Sequence, residues 1–229
     1  MTLPSVNEET LISFLTGLLN TPSPTGLAEP GIRYAEEAFS AIEGVTCKRT
    51  RKGALLVTVP GQRSDAPRAL TGHVDTLGAM VKEIKGSGRL AMTQLGGYAW
   101  NTIEGEGCTV FAHNGKTYRG SILLTTASAH VHAAQVSETK RSADTMEVRL
   151  DVKTASASDT TELGISVGDY IAFDPRVEVV NGFVRSRHLD DKAGVACILA
   201  AVSALVDAGL KPLQTTYILV SNFEEVGHG

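Results

Sequence analysis

Residues 187–194 read RHLDDKAG: two adjacent aspartates, Asp190 and Asp191, then a lysine and an Ala-Gly step that opens the apolar run KAGVACILAAVSALVDAG. Buried charge is tolerated only when it is paired or metal-bound. The run is too apolar to leave its own N-terminus in open water, so the two carboxylates are expected at the mouth of a site. From Asp191 to Ala208 the apolar positions keep a helical period that closes at Gly209, and KPLQ then leads into TTYILVSNFEE, a β-branched strand. A buried helix followed by an apolar strand is the signature of an α/β layer.

The same layer is legible at the start of the chain. After an acidic first turn, Leu11, Ile12, Phe14, Leu15, Leu18 and Leu19 follow helical spacing, which predicts a helix over residues 5–20 that stops at TPSPTG. A second helical pattern runs through Ile32, Ala35, Ala38, Phe39 and Ile42 to Gly44. The runs VTCKRT, ALLVTVP and RALTGHVD, broken by Lys52-Gly53 and by a GQRSDAP loop, then read as strands.

Between residue 78 and about residue 184 the texture changes to short alternating runs separated by Gly, Asn and charged turns. His113-Asn114-Gly115-Lys116 and Val180-Asn181-Gly182-Phe183 carry the Asn-Gly signal of tight hairpins. TTELGISVG reads as one short helix or a turn, and the Ala/Ser stretches TASAH and TASASD as loops. We therefore expect a discontinuous α/β domain, residues 1–77 and 185–229, interrupted by a small β-barrel over residues 78–184. Because the chain ends in EEVGHG, before further crossovers would cover both sheet faces, the α/β layer is expected to be unfinished at residue 229.

Composition narrows the class. With 229 residues, one or two domains fit the usual size of about 150 residues each. A net charge of -4 with 20% charged residues indicates neither disorder nor a nucleic-acid-binding surface. No basic leader precedes the first helix and no apolar run reaches the roughly 18 residues of a membrane span. Cys47, Cys108 and Cys197 are odd in number and widely spaced, which argues against a disulfide framework or a thiolate zinc site and fits a reducing cytoplasm.

Three groups of side chains stand where open α/β sheets place their sites, at the carboxyl ends of strands. His73 and Asp75 form a His-x-Asp pair in which the aspartate can hold one ring nitrogen and leave the other for a metal; taken alone, a solvated histidine and a turn-capping aspartate explain it better. Asp190 can bridge two cations with its two oxygens, while Asp191 fits a helix N-cap. Glu224 and Glu225 end a strand, and at a bend one can ligate a metal while the other takes a proton from water; a plain polar strand end is about as good an account.

The set GHVDTLG, RHLDDKAG and SNFEEVGHG, in this order with a β-rich insertion after the first, resembles the glutamyl-aminopeptidase or TET family of co-catalytic metallopeptidases. PSPTG, Gly96-Gly97 and GDYIAFD extend the resemblance over most of the chain. It implies a mixed-sheet α/β metallopeptidase domain carrying a PDZ-like dimerisation domain, two zinc or cobalt ions per complete subunit, peptide substrates, and assembly from dimers to tetrahedral dodecamers. It implies His73 as ligand of one metal, Asp75 as its orienting partner among the catalytic residues, Asp190 as bridge, Glu224 as general base and Glu225 as ligand of the second metal. A cis Asp190–Asp191 peptide is also implied, with Asp191 supporting. Two further ligands, a carboxylate well after the glutamate pair and a histidine near the C-terminus, are not among these residues. The resemblance thus implies a C-terminally truncated chain, inactive alone. His228 is too near Glu225 to serve, and His130, His132 and His188 have no spacing that joins them to the three groups. Thr76 and Lys192 replace an acidic residue and an arginine that are frequent in the family. Alternatives are a metal-dependent deacylase or dipeptidase acting on small N-acylated or osmolyte dipeptides, and a non-catalytic oligomerisation module built on the barrel.

Overall fold

The computed structural model describes residues 3–229. Helix α1 (Glu8–Asn20) begins three residues later than its apolar pattern suggests, because the Asn7 side chain accepts the Thr10 amide at 3.0 Å and acts as the N-cap. Phe14, Leu15, Leu18 and Leu19 form its buried stripe. Helix α2 (Glu29–Ser40) carries Pro30 in its first turn, where a missing N–H costs nothing, and buries Ile32, Ala35 and Phe39. Strands β1 (Thr46–Arg49), β2 (Leu55–Val59) and β3 (Arg63–His73) follow.

Residues 77–174 form one compact unit. Its strands are β4 (Gly78–Ile84), β5 (Leu90–Leu95), β6 (Gly107–Phe111), β7 (Thr117–Leu124), β8 (Met146–Leu150) and β9 (Tyr170–Phe173). They close into a barrel in the order β4-β5-β8-β7-β6-β9, filled by Val81, Leu90, Met92, Ile122, Leu124, Met146, Val148 and Ile171. There are three short helices, α3 (Ala129–His132), α4 (Gln135–Glu138) and α5 (Ala157–Glu162); the starts of α3 and α5 fall in the TASAH and TASASD stretches that read as loops, and α5 runs into TTELGISVG, which reads as one short helix or a turn. The start of α5 has a local cause: the Ser156 hydroxyl accepts the Asp159 amide at 3.2 Å, and the Asp159 carboxylate returns to the Ser156 amide at 3.1 Å.

The second compact unit comprises the residues up to Thr76 and Pro175–Gly229. Its returning segment starts with the hairpin β10 (Glu178–Val180) and β11 (Phe183–Arg185), whose Asn181 and Gly182 both have positive φ, 51° and 80°, as the predicted Asn-Gly turn requires. The hairpin is a separate two-stranded sheet and not part of the barrel. Val177 and Val184 pack against the core of the α/β unit, so the return falls ten residues before the expected residue 185.

Helix α6 (Leu189–Asp207) and strand β12 (Gln214–Ser221) complete the layer. The sheet order is β1-β2-β12-β3, with β12 antiparallel to β2 and parallel to β3, a mixed sheet as expected. Strand β3 reaches back into the stretch that reads as the GQRSDAP loop. Within this sheet it pairs on one side only, so Pro67 removes no ladder bond, and a register slip between Gln214 and Thr216 absorbs the irregularity. Helix α6 packs on α1 and β3, and Val195, Leu199 and Val202 join the α1 and α2 stripes over Leu55, Val57, Ile218 and Val220. Among the described residues, no helix is long and apolar enough to cross a membrane.

Candidate functional site

Parallel pairing of β3 with β12 sets Ser221 opposite His73, so the two strands end together. The Val74 amide donates to the Ser221 carbonyl at 3.1 Å, and the chain leaving β12 turns within three residues into a single 3-10 turn, Glu224–Val226. Sequence positions 73–75 and 224–225 thereby meet at one sheet edge. The start of α6 joins them from the flank, since Gly72 of β3 lies against the Asp191 carboxylate.

Asp75 ties this edge together. It is fully buried, and His73 is only 6% exposed. The His73 Nδ1 donates to the Asp75 backbone carbonyl at 2.9 Å, with the carboxylate Oδ1 at 3.4 Å. A carbonyl only accepts, so the Nδ1 carries the hydrogen and the neutral ring keeps its lone pair on Nε2. The Asp75 carboxylate also accepts the Thr25 hydroxyl at 2.7 Å and the Glu224 and Glu225 amides at 3.2 Å each. Burial alone would raise its pKa. The hydrogen bonds from His73, Thr25 and the two amides outweigh burial and hold the carboxyl below its ordinary value. The same balance on His73, burial against the Asp75 contacts and the Glu224 charge, pushes the imidazole up to about 9.

Thr25 belongs to the PSPTG loop, which carried part of the resemblance but had no role from the sequence. The loop is sewn to the site: the Ser23 hydroxyl donates to the Val74 carbonyl at 2.6 Å, and the Thr25 and Thr76 amides exchange bonds with the Thr76 and Ser23 carbonyls. The TPSPTG break in the helical pattern is the signal for a loop, but nothing local says that its threonine meets a residue fifty positions away.

The His73 Nε2 faces Asp190 Oδ1 at 3.3 Å and Glu224 Oε2 at 3.5 Å. The Asp190 side chain is 92% exposed and that of Glu224 57%, so both reach outward from the edge. The Asp190–Asp191 peptide is cis, and both residues have non-helical backbone angles within α6. Asp191 turns the other way, its carboxylate tucked between Gly72 and Gly194. A Cβ on Gly194 would lie 2.2 Å from Asp191 Oδ1, and one on Gly72 2.9 Å from Oδ2. Lys192 is completely buried; its ammonium donates to the Leu18 carbonyl at 2.9 Å and the Thr21 carbonyl at 2.7 Å, at the C-terminal end of α1. Those carbonyls and the negative end of the helix dipole favour the cation, yet burial pushes it down to about 7. Burial raises the Glu225 carboxyl; the Asp75, Asp190 and Glu224 carboxylates add to the rise, while His73 opposes it.

Two donors each about 2.1 Å from a tetrahedral ion lie roughly 3.4 Å apart. The separation of His73 Nε2 from Asp190 Oδ1 matches that edge, and Nε2 is the nitrogen that has a lone pair when the ring is neutral. The donor set therefore fits a hard or borderline divalent cation. Among the described residues, no three or more His, Cys, Asp or Glu side chains are grouped so that they could hold a metal ion by themselves. His130 and His132 lie in α3 of the barrel unit, and His228 is an exposed loop residue whose amide donates to Phe223 O at 2.9 Å. His188 is buried and precedes α6.

The model of the M42 glutamyl aminopeptidase family matches residues 53–229, and the chain belongs to that family. It is 45% identical over 213 residues to the provisionally named aminopeptidase YhfE of Bacillus subtilis (strain 168), an alignment covering 93% of this chain and 61% of that protein. A TET aminopeptidase from a marine-sediment archaeon of the Thaumarchaeota superposes with a TM-score of 0.85 at 22% identity, covering 96% of this chain and 60% of the other. The Pyrococcus horikoshii TET1 peptidase, described as able to assemble into a tetrahedron or a large octahedral shell, superposes at 0.77 and 22% identity over 95% of this chain and 62% of its own. The chain thus spans about six-tenths of the length of these relatives.

Proposed function

We propose that the whole protein of which this M42 family chain forms part is an aminopeptidase that hydrolyses N-terminal peptide bonds with two divalent metal ions, zinc or cobalt. His73 would hold one ion, Glu225 the other, and Asp190 both, with further donors from outside these 229 residues completing the cage. Bound there, the metals would supply Lewis-acid polarisation of the scissile carbonyl and a water made easier to deprotonate. The convergence of His73 Nε2 on Asp190 and Glu224, with Asp75 gripping both the ring and the Glu224-Glu225 backbone, carries the reading.

Each side chain then has a distinct task. Glu224, exposed beside His73, takes the proton from the attacking water at its carboxylate and returns it to the leaving amine. Asp75 touches no solvent and acts as a positioning residue: it fixes the imidazole tautomer and the direction in which the glutamates leave the strand. Asp191 holds the first turn of α6 against Gly72 and so aims Asp190. Near neutral pH the raised His73 ring carries a proton on Nε2, which it would have to give up for that nitrogen to hold a metal.

In the loaded, full-length protein, Glu224→Gln is expected to lower turnover on unblocked peptides by about 10²–10⁴-fold with metal content unchanged. Unaltered turnover would refute the assignment. The inserted barrel we read as PDZ-like and as the self-association surface, by analogy with the assemblies described for the P. horikoshii TET1 peptidase. A reducing cytoplasm is the proposed compartment, supported by Cys47, Cys108 and Cys197 all being free thiols.

A further inference from the structure

The barrel unit carries a polar cavity of about 360 Å³, lined by Ser87, Arg89, Arg149, Lys153 and Thr154 together with Leu150 and Val152. Three cations and two hydroxyls line it and no carboxylate does, in a chain whose net charge is -4. We propose that this pocket is a binding site for a small phosphate-bearing anion.

The charge is there by construction. Strand β8 sends Met146, Val148 and Leu150 inward, which leaves Glu147 and Arg149 on the outer face. Leu90 pairs with Val148, and continuing that antiparallel register by one step sets Arg89 opposite Arg149. Like charges directly opposite across strands are destabilising. Buried Glu147 is shared between Lys85, at 2.9 Å, and the Arg89 Nη1, so one acid answers two cations there and Arg149 is left without a carboxylate partner among the described residues. Asp159 is committed to its own helix start. It accepts the Ala155 and Ser156 amides at 2.8 and 3.1 Å. Arg149 and Lys153 make no ion pair among the described residues.

The neighbouring turn shapes the remaining wall. In the β4–β5 turn, Lys85-Gly86-Ser87-Gly88-Arg89, Gly88 has φ of 81°, and the Thr160 hydroxyl donates to its carbonyl at 2.8 Å, pinning the turn beside Thr154. The Arg149 guanidinium, the Arg89 N–H groups not taken by Glu147, an ammonium and two hydroxyls match a tetrahedral oxyanion better than a planar carboxylate, whose two oxygens one arginine already satisfies.

Calorimetric titration of the full-length protein with inorganic phosphate and, separately, glycerol 2-phosphate at fixed ionic strength tests this. Saturable binding of one anion per chain is expected. Arg149→Gln and Lys153→Gln should each weaken it about tenfold, the loss of one charge-assisted contact. Glu147→Gln, which frees Arg89 and Lys85 from their acid, should tighten it. Tighter binding of glycerol 2-phosphate than of inorganic phosphate would mean that the pocket takes an esterified phosphate, and the reverse a free one. Absence of saturable binding to either anion, or equal affinity across the three variants, would overturn the proposal. Thermal melts of each variant confirm that the barrel is folded, and Arg149→Lys, which keeps the charge, should retain most of the affinity.

Discussion

Replacing Thr25 by valine keeps the shape of a buried side chain and deletes one hydroxyl, the donor of the shortest hydrogen bond to the Asp75 carboxylate at 2.7 Å. Asp75 is fully buried, so no water replaces the lost donor, and Oδ2 is left with the Glu225 amide at 3.2 Å. A hydrogen bond to a charged group contributes about 1.5–3 kcal/mol, which at roughly 2–4 °C per kcal/mol for a protein of this size corresponds to a fall in melting temperature of about 3–12 °C. The loss has a pH signature. Asp75 has a lowered folded pKa, so its stabilisation is present above the ordinary carboxylate value near 3.8 and disappears as pH falls through the folded value. Thr25→Val raises that folded value. Its deficit against wild type should be full at pH 7 and shrink toward zero as pH falls through the lowered folded value. Because Asp75 also holds the His73 tautomer, metal affinity should fall about 10–100-fold. Denaturant melts in chelator across the pH range, with a separate metal titration, read both effects. Thr25→Ser should restore most of each. A Thr25→Val protein within about 0.5 kcal/mol of wild type at pH 7, with unchanged metal affinity, would refute the view that Asp75 is held by this hydroxyl.

Gly194→Ala places a methyl 2.2 Å from Asp191 Oδ1 and should cost about 1–3 kcal/mol, although the same change in an open helix stabilises by roughly 1 kcal/mol. Combined with Asp191→Ala, the cost should largely vanish, and denaturant melts of the double-mutant cycle read the coupling. Lys192 contributes a pH slope of the opposite sense to an ion pair. Its folded value near 7 lies below the ordinary 10.5, so the unfolded chain binds the extra proton between them and stability rises with pH across that window. The rise is on the order of 3 kcal/mol from about pH 7 to 9.5. His73, raised to about 9, works against it, its stabilisation fading as pH climbs through that value. The readout is therefore the difference between wild type and Lys192→Met, which should lose the Lys192 slope; parallel curves would contradict it.

How much of this was legible follows from the range over which each signal acts. Period-2 and period-3.6 patterns carried the α/β layer, the inserted β segment and the hairpin at Asn181-Gly182, because burial of one face is written into consecutive residues. The sequence pattern makes strand β3 too short: Pro67 forbids a central strand but not an edge, and edge position depends on which strands a distant part of the chain supplies. The short helices α3 to α5 bury too little for a period to show, and of these α5 alone advertises itself, through the Ser156/Asp159 capping box.

At the site, the reasoning that i and i+2 share a face predicts contact of Asp75 with His73 through one ring nitrogen, and the structure has that contact. Strand β3 nevertheless ends at His73, and the closest bond comes from the Asp75 backbone carbonyl, which leaves the carboxylate free to reach elsewhere. It turns to Thr25 and to the amides of Glu224 and Glu225, contacts separated by 50, 149 and 150 positions that no local pattern encodes. An isolated carboxylate in that buried place would shed its charge by taking a proton. Four donors let it stay ionised, and the same four bonds fix where His73 and the two glutamates stand relative to one another. The expensive buried charge and the precision of the edge are therefore one feature. A substitution that relieves the burial without keeping the donors, such as Asp75→Leu, would remove the cost and the geometry together.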